Sequence, residues 1–139
     1  MPNWTQNEVT IKTKTKAQLD KVIEAINSAE NVFDFDLIKP MPKNLFMGNL
    51  GQEEEKKYGK NNWYHWSIEN WGTKWNSCDA AKTRLSDTEV YYLFFTAWDA
   101  PYPIHKAILN KYSGPTDAFS VKWHCLDEDD STCGDGYFL

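Results

Sequence analysis

Three residues near the end of the chain have side chains that bind transition metals. Cys125 and Cys133 flank an acidic segment, and His124 directly precedes Cys125. Zn²⁺ prefers thiolate and imidazole ligands, and a structural zinc site takes about four ligands. Neighbouring residues of a strand point to opposite faces, so His124 and Cys125 are alternatives. The candidate zinc site is therefore Cys133 with either Cys125 or His124 and an aspartate, and the other interpretation is buried or unreactive thiols.

The segment between these cysteines contains four consecutive carboxylates: Asp127, Glu128, Asp129 and Asp130. The whole chain has a net charge of −5, which disfavours binding to bare duplex DNA because such binding depends on Lys and Arg. An acidic turn can instead imitate phosphates and enter a groove lined by Arg and Lys on a protein partner. We therefore predict a partner-binding role for this turn, with a merely solvated turn as the alternative.

The chain contains few residues whose types and spacing are typical of catalytic sites. Glu69 lies among tryptophans, where a carboxyl group can act as an acid or base, and His65 is close to it in sequence. The chain contains no nucleophile elbow, phosphate-binding loop or metal-hydrolase spacing. We therefore predict a protein that is not an enzyme, and a small hydrolase centred on Glu69 and His65 is kept as an alternative.

The stretch WYHWSIENWGTKWN, residues 63–76, contains four of the seven tryptophans. Indole rings are large apolar surfaces that favour burial with the N–H group paired. Gly72 allows a sharp backbone turn within the stretch. The pattern predicts a short helix that ends at Gly72 and leads directly into a strand, with the indoles as interior packing.

The remaining elements follow from hydrophobic periodicity. The predicted elements are strand 7–13, helix 16–28, an extended arm over 31–42, one exposed helical turn near 53–57, strand 75–85, strand 88–98, a helix from about 101 to 112, strand 118–126 and a short strand 137–139. This order predicts an α+β, ferredoxin-like split βαβ fold in one domain, residues 1–139. Two helices would cover one face of an antiparallel sheet, and an insertion of about residues 29–72 would separate the first helix from the second strand.

Strand 88–98 is apolar on both faces, which is typical of a central strand covered on both sides. Leu93 and Phe95 lie on the face opposite the helices in the predicted fold. We predict that they are covered by the insertion, by a second copy of the chain or by a partner. The opening MPNWTQNEVT has no apolar core segment, and the longest apolar run is far too short to span a membrane. We therefore expect neither a signal peptide nor a membrane span.

Four segments together resemble the YubB-like family of small proteins from phages and conjugative plasmids. They are MPNWTQN, FDFDLIKPMP, WYHWSIENWGTKWN and FFTAWDAPYPI, and they occur in the family's order over nearly the whole chain. The resemblance implies a ferredoxin-like domain and a mobile-element origin. The chain departs from the family at Leu93 and Phe95, where polar residues are usual, and in its acidic ending.

Taken together, these features predict an accessory protein of a phage or mobile element in the host bacterial cytoplasm. It would inhibit a host defence protein, for example a CRISPR effector, by occluding a basic nucleic-acid groove. Besides the hydrolase, the alternative is a single-stranded nucleic-acid-binding module that stacks bases on aromatic rings. We expect a monomer or a homodimer.

Overall fold

The computed structural model describes residues 3–112, 119–127 and 132–138, the last range as backbone only. Strands and helices follow one another along these ranges as β1 Trp4–Lys12, α1 Lys16–Ile26, α2 Phe35–Ile38, α3 Gln52–Tyr58, α4 Trp63–Asn70, β2 Cys78–Ser86, β3 Glu89–Ala97, α5 Tyr102–Tyr112, β4 Ser120–Leu126 and β5 Thr132–Phe138. The α+β class is therefore confirmed.

The strands form one antiparallel sheet in the order β2-β3-β1-β4-β5. In the register of the central strands, Val9 lies opposite Tyr92 on one side and Trp123 on the other, and all three are fully buried. The buried Trp123 indole donates its Nε1–H to Asn7 Oδ1 at 3.0 Å, so its polar atom is satisfied inside the core. In this order two strands, β3 and β1, separate Cys78 on β2 from Cys125 on β4.

Two helices cover one face of this sheet. Helix α1 begins with a capping box, in which the Thr15 hydroxyl accepts from Gln18 N and the Gln18 side chain accepts from Thr15 N. Its buried face contains Leu19, Val22 and Ile26. Helix α5 contributes Ile104 and Ile108 to the same hydrophobic core, and its His105 is also buried. Both helices were predicted from apolar residues spaced three and four positions apart, and both are present.

The segment predicted as an extended arm is partly helical. Asp34 accepts a hydrogen bond from Asp36 N and caps the single turn of α2. This turn lets Phe33 and Phe35, which alternate with aspartates in the sequence, both enter the core at 0% exposure. The prediction of an extended arm was therefore wrong over α2, because local capping by aspartate favours a turn over a strand.

Residues 27–77 connect α1 to β2, so the insertion is slightly longer than predicted. It is fixed at both ends by side-chain hydrogen bonds. Asn76 Oδ1 accepts from Phe35 N at 2.9 Å, and Asn76 Nδ2 donates to Asp34 Oδ1 at 2.8 Å. Ser77 Oγ donates to the Phe33 carbonyl. These bonds hold Asn76 and Ser77 outside the sheet, which is why β2 begins at Cys78 rather than at the predicted residue 75.

Strand β2 forms one edge of the described sheet and is mostly exposed. Its pairing with β3 shifts register between Cys78 and Ala81 and again between Arg84 and Ser86. At the other side, β5 covers Thr132–Phe138 and is longer than the predicted strand 137–139.

Candidate functional site

The sheet face opposite α1 and α5 carries the two apolar residues Leu93 and Phe95, for which a cover was predicted. The prediction that both faces of β3 are covered is only partly right, because Tyr92 and Phe94 are buried whereas Leu93 and Phe95 are half-buried. The strand register places Phe95 and Leu126 on either side of Gln6, and Leu93 next to Glu8. We call this surface, formed by the outward residues of β1, β3 and β4, the open sheet face.

The insertion anchors itself on the face of the sheet that does not carry Leu93 and Phe95. Its anchoring rings, Phe33 and Phe35, pack against Tyr92 and Phe94 on the helix-covered face. At the edge of the open sheet face, the Trp75 ring approaches Trp4, with centroids 6.0 Å apart. The insertion therefore reaches the border of the open sheet face at Trp75, and what covers Leu93 and Phe95 stays a prediction.

A carboxylate lies in the middle of the open sheet face. Tyr91 Oη donates to Glu8 Oε1 at 2.9 Å, and His124 Nδ1 lies 3.3 Å from Glu8 Oε2. Burial, followed by the bond to Glu8, raises the pKa of Tyr91 to about 12. The phenol therefore stays a proton donor at neutral pH and holds the Glu8 carboxylate in a fixed orientation.

The three predicted metal ligands do not share one environment. His124 contacts Glu8 on the open sheet face, whereas Cys125 is fully buried on the opposite face, as strand alternation requires. Cys125 is disulfide-bonded, a state in which its sulfur is not a thiolate ligand. The side chain of Cys133 lies outside the described residues. Within the described ranges no group of three or more His, Cys, Asp or Glu side chains is placed to hold a metal, and zinc stays a prediction.

Of the four acidic residues predicted to bind a partner, Asp127 lies within the described chain. Its Oδ1 accepts a hydrogen bond from Thr5 Oγ1 at 3.1 Å, which ties the end of β4 to β1. The other three, Glu128, Asp129 and Asp130, lie outside the described residues. Thr5 is buried and alternates with the outward residues Trp4 and Gln6, so the Asp127 carboxylate lies towards the helix-covered side of β1 and not on the open sheet face.

A second concave site is built around α4. Asn62 caps this helix by accepting from His65 N at 2.9 Å. Two indoles of the helix region then bond to the insertion: Trp63 Nε1 donates to Gly48 O and Trp71 Nε1 donates to Lys39 O, both at 2.9 Å. These two bonds hold the chain over residues 39–48 against α4.

Between α4 and this segment lies a cleft of about 520 Å³, which we call the tryptophan cleft. Its walls carry three indoles and two thioethers: Trp63, Trp71, Trp75, Met41 and Met47. The charged groups are Lys43, Lys74 and Asp36. The prediction of interior packing is right for Trp71, which is 5% exposed, and wrong for Trp75, which is 36% exposed.

Sequence inspection did not identify the lysines and methionines of the tryptophan cleft. They come from separate parts of the insertion, with Met41, Lys43 and Met47 before α4 and Lys74 after it. The sequence contained one signal for this cleft. Many indoles occur near Pro40 and Pro42, and these prolines prevent the segment that contains them from forming regular structure.

The residues of the hydrolase alternative do not line the tryptophan cleft. Glu69 is exposed on α4, and His65 is half-buried with its ring 5.6 Å from that of Tyr64. Neither group has a described hydrogen bond from its side chain to the other. The geometry around α4 therefore gives no support to paired acid–base chemistry by these two residues.

Comparison with known protein families, with curated proteins and with solved structures found no match to this chain. The resemblance to the YubB-like family stays a prediction from the motifs alone. In the part of the chain that the structure describes, no helix combines the length and the apolar character needed to cross a bilayer.

Proposed function

We propose that this chain is a non-enzymatic binding protein that docks on a protein partner through the open sheet face. The observation that carries the proposal is the position of Leu93 and Phe95, two large apolar side chains that remain half-buried on the face without helices. Apolar residues grouped on a sheet face are typical of an interaction surface, in which an apolar centre is surrounded by polar groups.

The charges around this surface indicate the kind of partner. The Glu8 carboxylate lies beside Leu93 and is fixed by Tyr91. The chain as a whole carries a net charge of −5. Complementary charge favours a partner with an Arg- and Lys-lined groove, and such a groove ordinarily holds nucleic acid. A host defence nuclease of the CRISPR type fits this description, and the mobile-element origin implied by the motifs supports it.

We further propose that the domain is ferredoxin-like. The support comes from strands β1 to β4, which lie in the spatial order 4-1-3-2 with every neighbour antiparallel, and from the placement of α1 and α5 between β1 and β2 and between β3 and β4. Strand β5 extends this arrangement beside β4.

The second candidate function is binding of single-stranded nucleic acid on the same face. Trp4, Tyr91 and Phe95 place aromatic rings on outward positions of two adjacent strands, as sheet-based RNA-binding domains do. The Glu8 carboxylate among these rings repels phosphates, so the protein partner is the better-supported function.

The test combines a double variant with cross-linking in the bacterial host. Leu93→Ser with Phe95→Ser removes the apolar centre, and Leu85→Ser, at a position 54% exposed on β2, is the matched control. We expect the double variant to weaken partner binding at least about tenfold, as loss of an interface centre does, and the control to leave it unchanged. The captured partner should also lose its binding to nucleic acid when the protein is bound.

Three outcomes would contradict the proposal. Cross-links confined to the α1 and α5 side would place the interface elsewhere. Salt-dependent binding of an oligonucleotide by the isolated protein would favour the second candidate function. Turnover of a substrate that is lost in Glu69→Gln would favour the hydrolase.

A further inference from the structure

The tryptophan cleft has the dimensions of a site for one small molecule. Its volume of about 520 Å³ lies within the range of roughly 300–1,000 Å³ that is usual for ligand sites. The indoles of Trp63, Trp71 and Trp75 supply flat apolar walls, and Met41 and Met47 are flexible apolar side chains that adapt to a ring. Such a lining favours a planar heterocycle over a branched aliphatic group.

The walls of the tryptophan cleft are fixed before any ligand arrives. The N–H groups of Trp63 and Trp71 are already bonded to Gly48 O and Lys39 O, so these indoles are held in defined orientations. The Trp71 ring is further packed edge-on against Trp66, with centroids 5.3 Å apart. Rings that do not have to be ordered on binding lose little conformational entropy, which favours affinity for a small ligand.

The charges of the tryptophan cleft select an anion. Two lysines, Lys43 and Lys74, line it together with one carboxylate, Asp36. Asp36 Oδ1 already accepts a hydrogen bond from Met41 N at 2.7 Å, so this carboxylate oxygen has a partner within the insertion. The Lys74 ammonium lies 4.6 Å from the centroid of the Trp75 ring, which places the positive charge beside an aromatic wall. The cleft is thus locally positive on a chain whose net charge is −5.

The wall of the cleft also contains a polar atom without a partner. Ser67 is fully buried, and its Oγ makes no hydrogen bond among the described residues. Asn76, another lining residue, differs in that both amide atoms have partners: its oxygen accepts from Phe35 N and Ser77 N, and its nitrogen donates to Asp34. A buried hydroxyl without a partner is unfavourable, and a hydrogen bond to a ligand would remove that penalty.

We propose that the tryptophan cleft binds a free nucleotide. The base lies between the indole walls within reach of Ser67, and the phosphate faces Lys43 and Lys74. An anionic group gains charge-assisted contacts with these ammonium groups that a neutral ring cannot make, and a cationic ligand would be repelled by them. This inference is independent of the open sheet face and of the partner proposed for it.

Isothermal titration calorimetry with AMP and GMP tests the proposal on the full chain. We expect saturable binding, with adenosine about tenfold weaker than AMP because it lacks the charge-assisted contact. Lys74→Gln should weaken AMP about tenfold, whereas Lys57→Gln should not change it. Lys57 is a matched control because its ammonium also lies over a ring, 5.3 Å from the Tyr58 centroid, but it is not part of this cleft.

A ring variant separates stacking from charge. Trp75→Leu is suitable because this side chain is 36% exposed and contributes less to folding than a buried indole. We expect it to weaken AMP at least about fivefold, while circular dichroism shows an unchanged fold. The same titrations on the Leu93→Ser, Phe95→Ser double variant should be unaltered, so failure of either proposal is distinguishable from failure of the other.

Three results would overturn the inference. One is the absence of saturable AMP or GMP binding at millimolar concentration. Another is binding that neither Lys74→Gln nor Trp75→Leu weakens, which would place the nucleotide elsewhere. The third is a single-stranded oligonucleotide that binds the cleft while mononucleotides do not, which would make the ligand a strand.

Discussion

Phe33 shows how firmly the insertion belongs to the core, and its removal should be one of the most damaging single changes in the chain. The ring is fully buried and touches four others, Phe35, Tyr92, Phe94 and Trp123, at centroid distances of 6.1, 5.0, 4.6 and 5.9 Å. Truncation of a buried phenylalanine to alanine costs about 3–5 kcal/mol. Because four ring contacts are lost together, we expect Phe33→Ala to lie near the upper end, at about 4–5 kcal/mol.

Urea unfolding followed by circular dichroism measures this change, and a loss of about 4 kcal/mol corresponds to a melting temperature lower by roughly 15 °C. Phe46→Ala is the control within the same insertion, because Phe46 is only half-buried and stacks on Tyr58 at 4.5 Å. It should cost about 1 kcal/mol. A loss below about 1 kcal/mol for Phe33→Ala would show that the insertion is dispensable for the core, and would refute the reasoning.

Two further changes test the backbone and the buried titratable group. Gly72 has φ +79°, and a Cβ there would lie 2.6 Å from Pro103 Cδ, so Gly72→Ala should cost about 2–4 kcal/mol in urea unfolding. Gly59→Ala, at φ +58° and ψ −126°, has nothing within 4 Å of the added carbon, so its cost of about 1–3 kcal/mol is backbone strain alone, and a Gly72→Ala loss no larger than this would argue against the clash. Burial lowers the pKa of His105 to about 4, below its unfolded value of 6.5, so its contribution is complete above pH 6.5 and is lost as the pH falls towards 4. Stability should therefore decrease by about 2 kcal/mol from pH 7 to 4.5, and His105→Gln should remove that part of the slope; an unchanged slope would contradict it.

The periodic elements could be predicted from sequence because their signal is local. Helix α1 shows apolar residues at three- and four-residue spacing after a Thr15 cap, and β3 alternates strongly over its length. The segment with Phe33 and Phe35 could not be predicted in this way. Its alternation indicates a strand, but the conformation is decided by Asp34, which caps a turn and bonds to Asn76 far along the chain.

The tryptophan cleft was beyond sequence reasoning for a similar reason. The number of indoles predicted an aromatic cluster, and Trp71 is indeed buried. Whether an indole lines a cleft or fills the core depends on which distant carbonyl its N–H meets, such as Lys39 O for Trp71 and Gly48 O for Trp63. Partners separated by fifteen or more residues leave no periodic trace in the sequence.

The irregular pairing of β2 has a consequence for behaviour at high concentration. An unprotected sheet border offers its amide and carbonyl groups to strands of other molecules, which is a route to fibrils. Here the ladder is interrupted between Cys78 and Ala81 and between Arg84 and Ser86, and the exposed Lys82 brings positive charge to the same border. A second molecule approaching from this side would meet a bent backbone and like charge, so concentrated protein is protected from lateral polymerisation along β2.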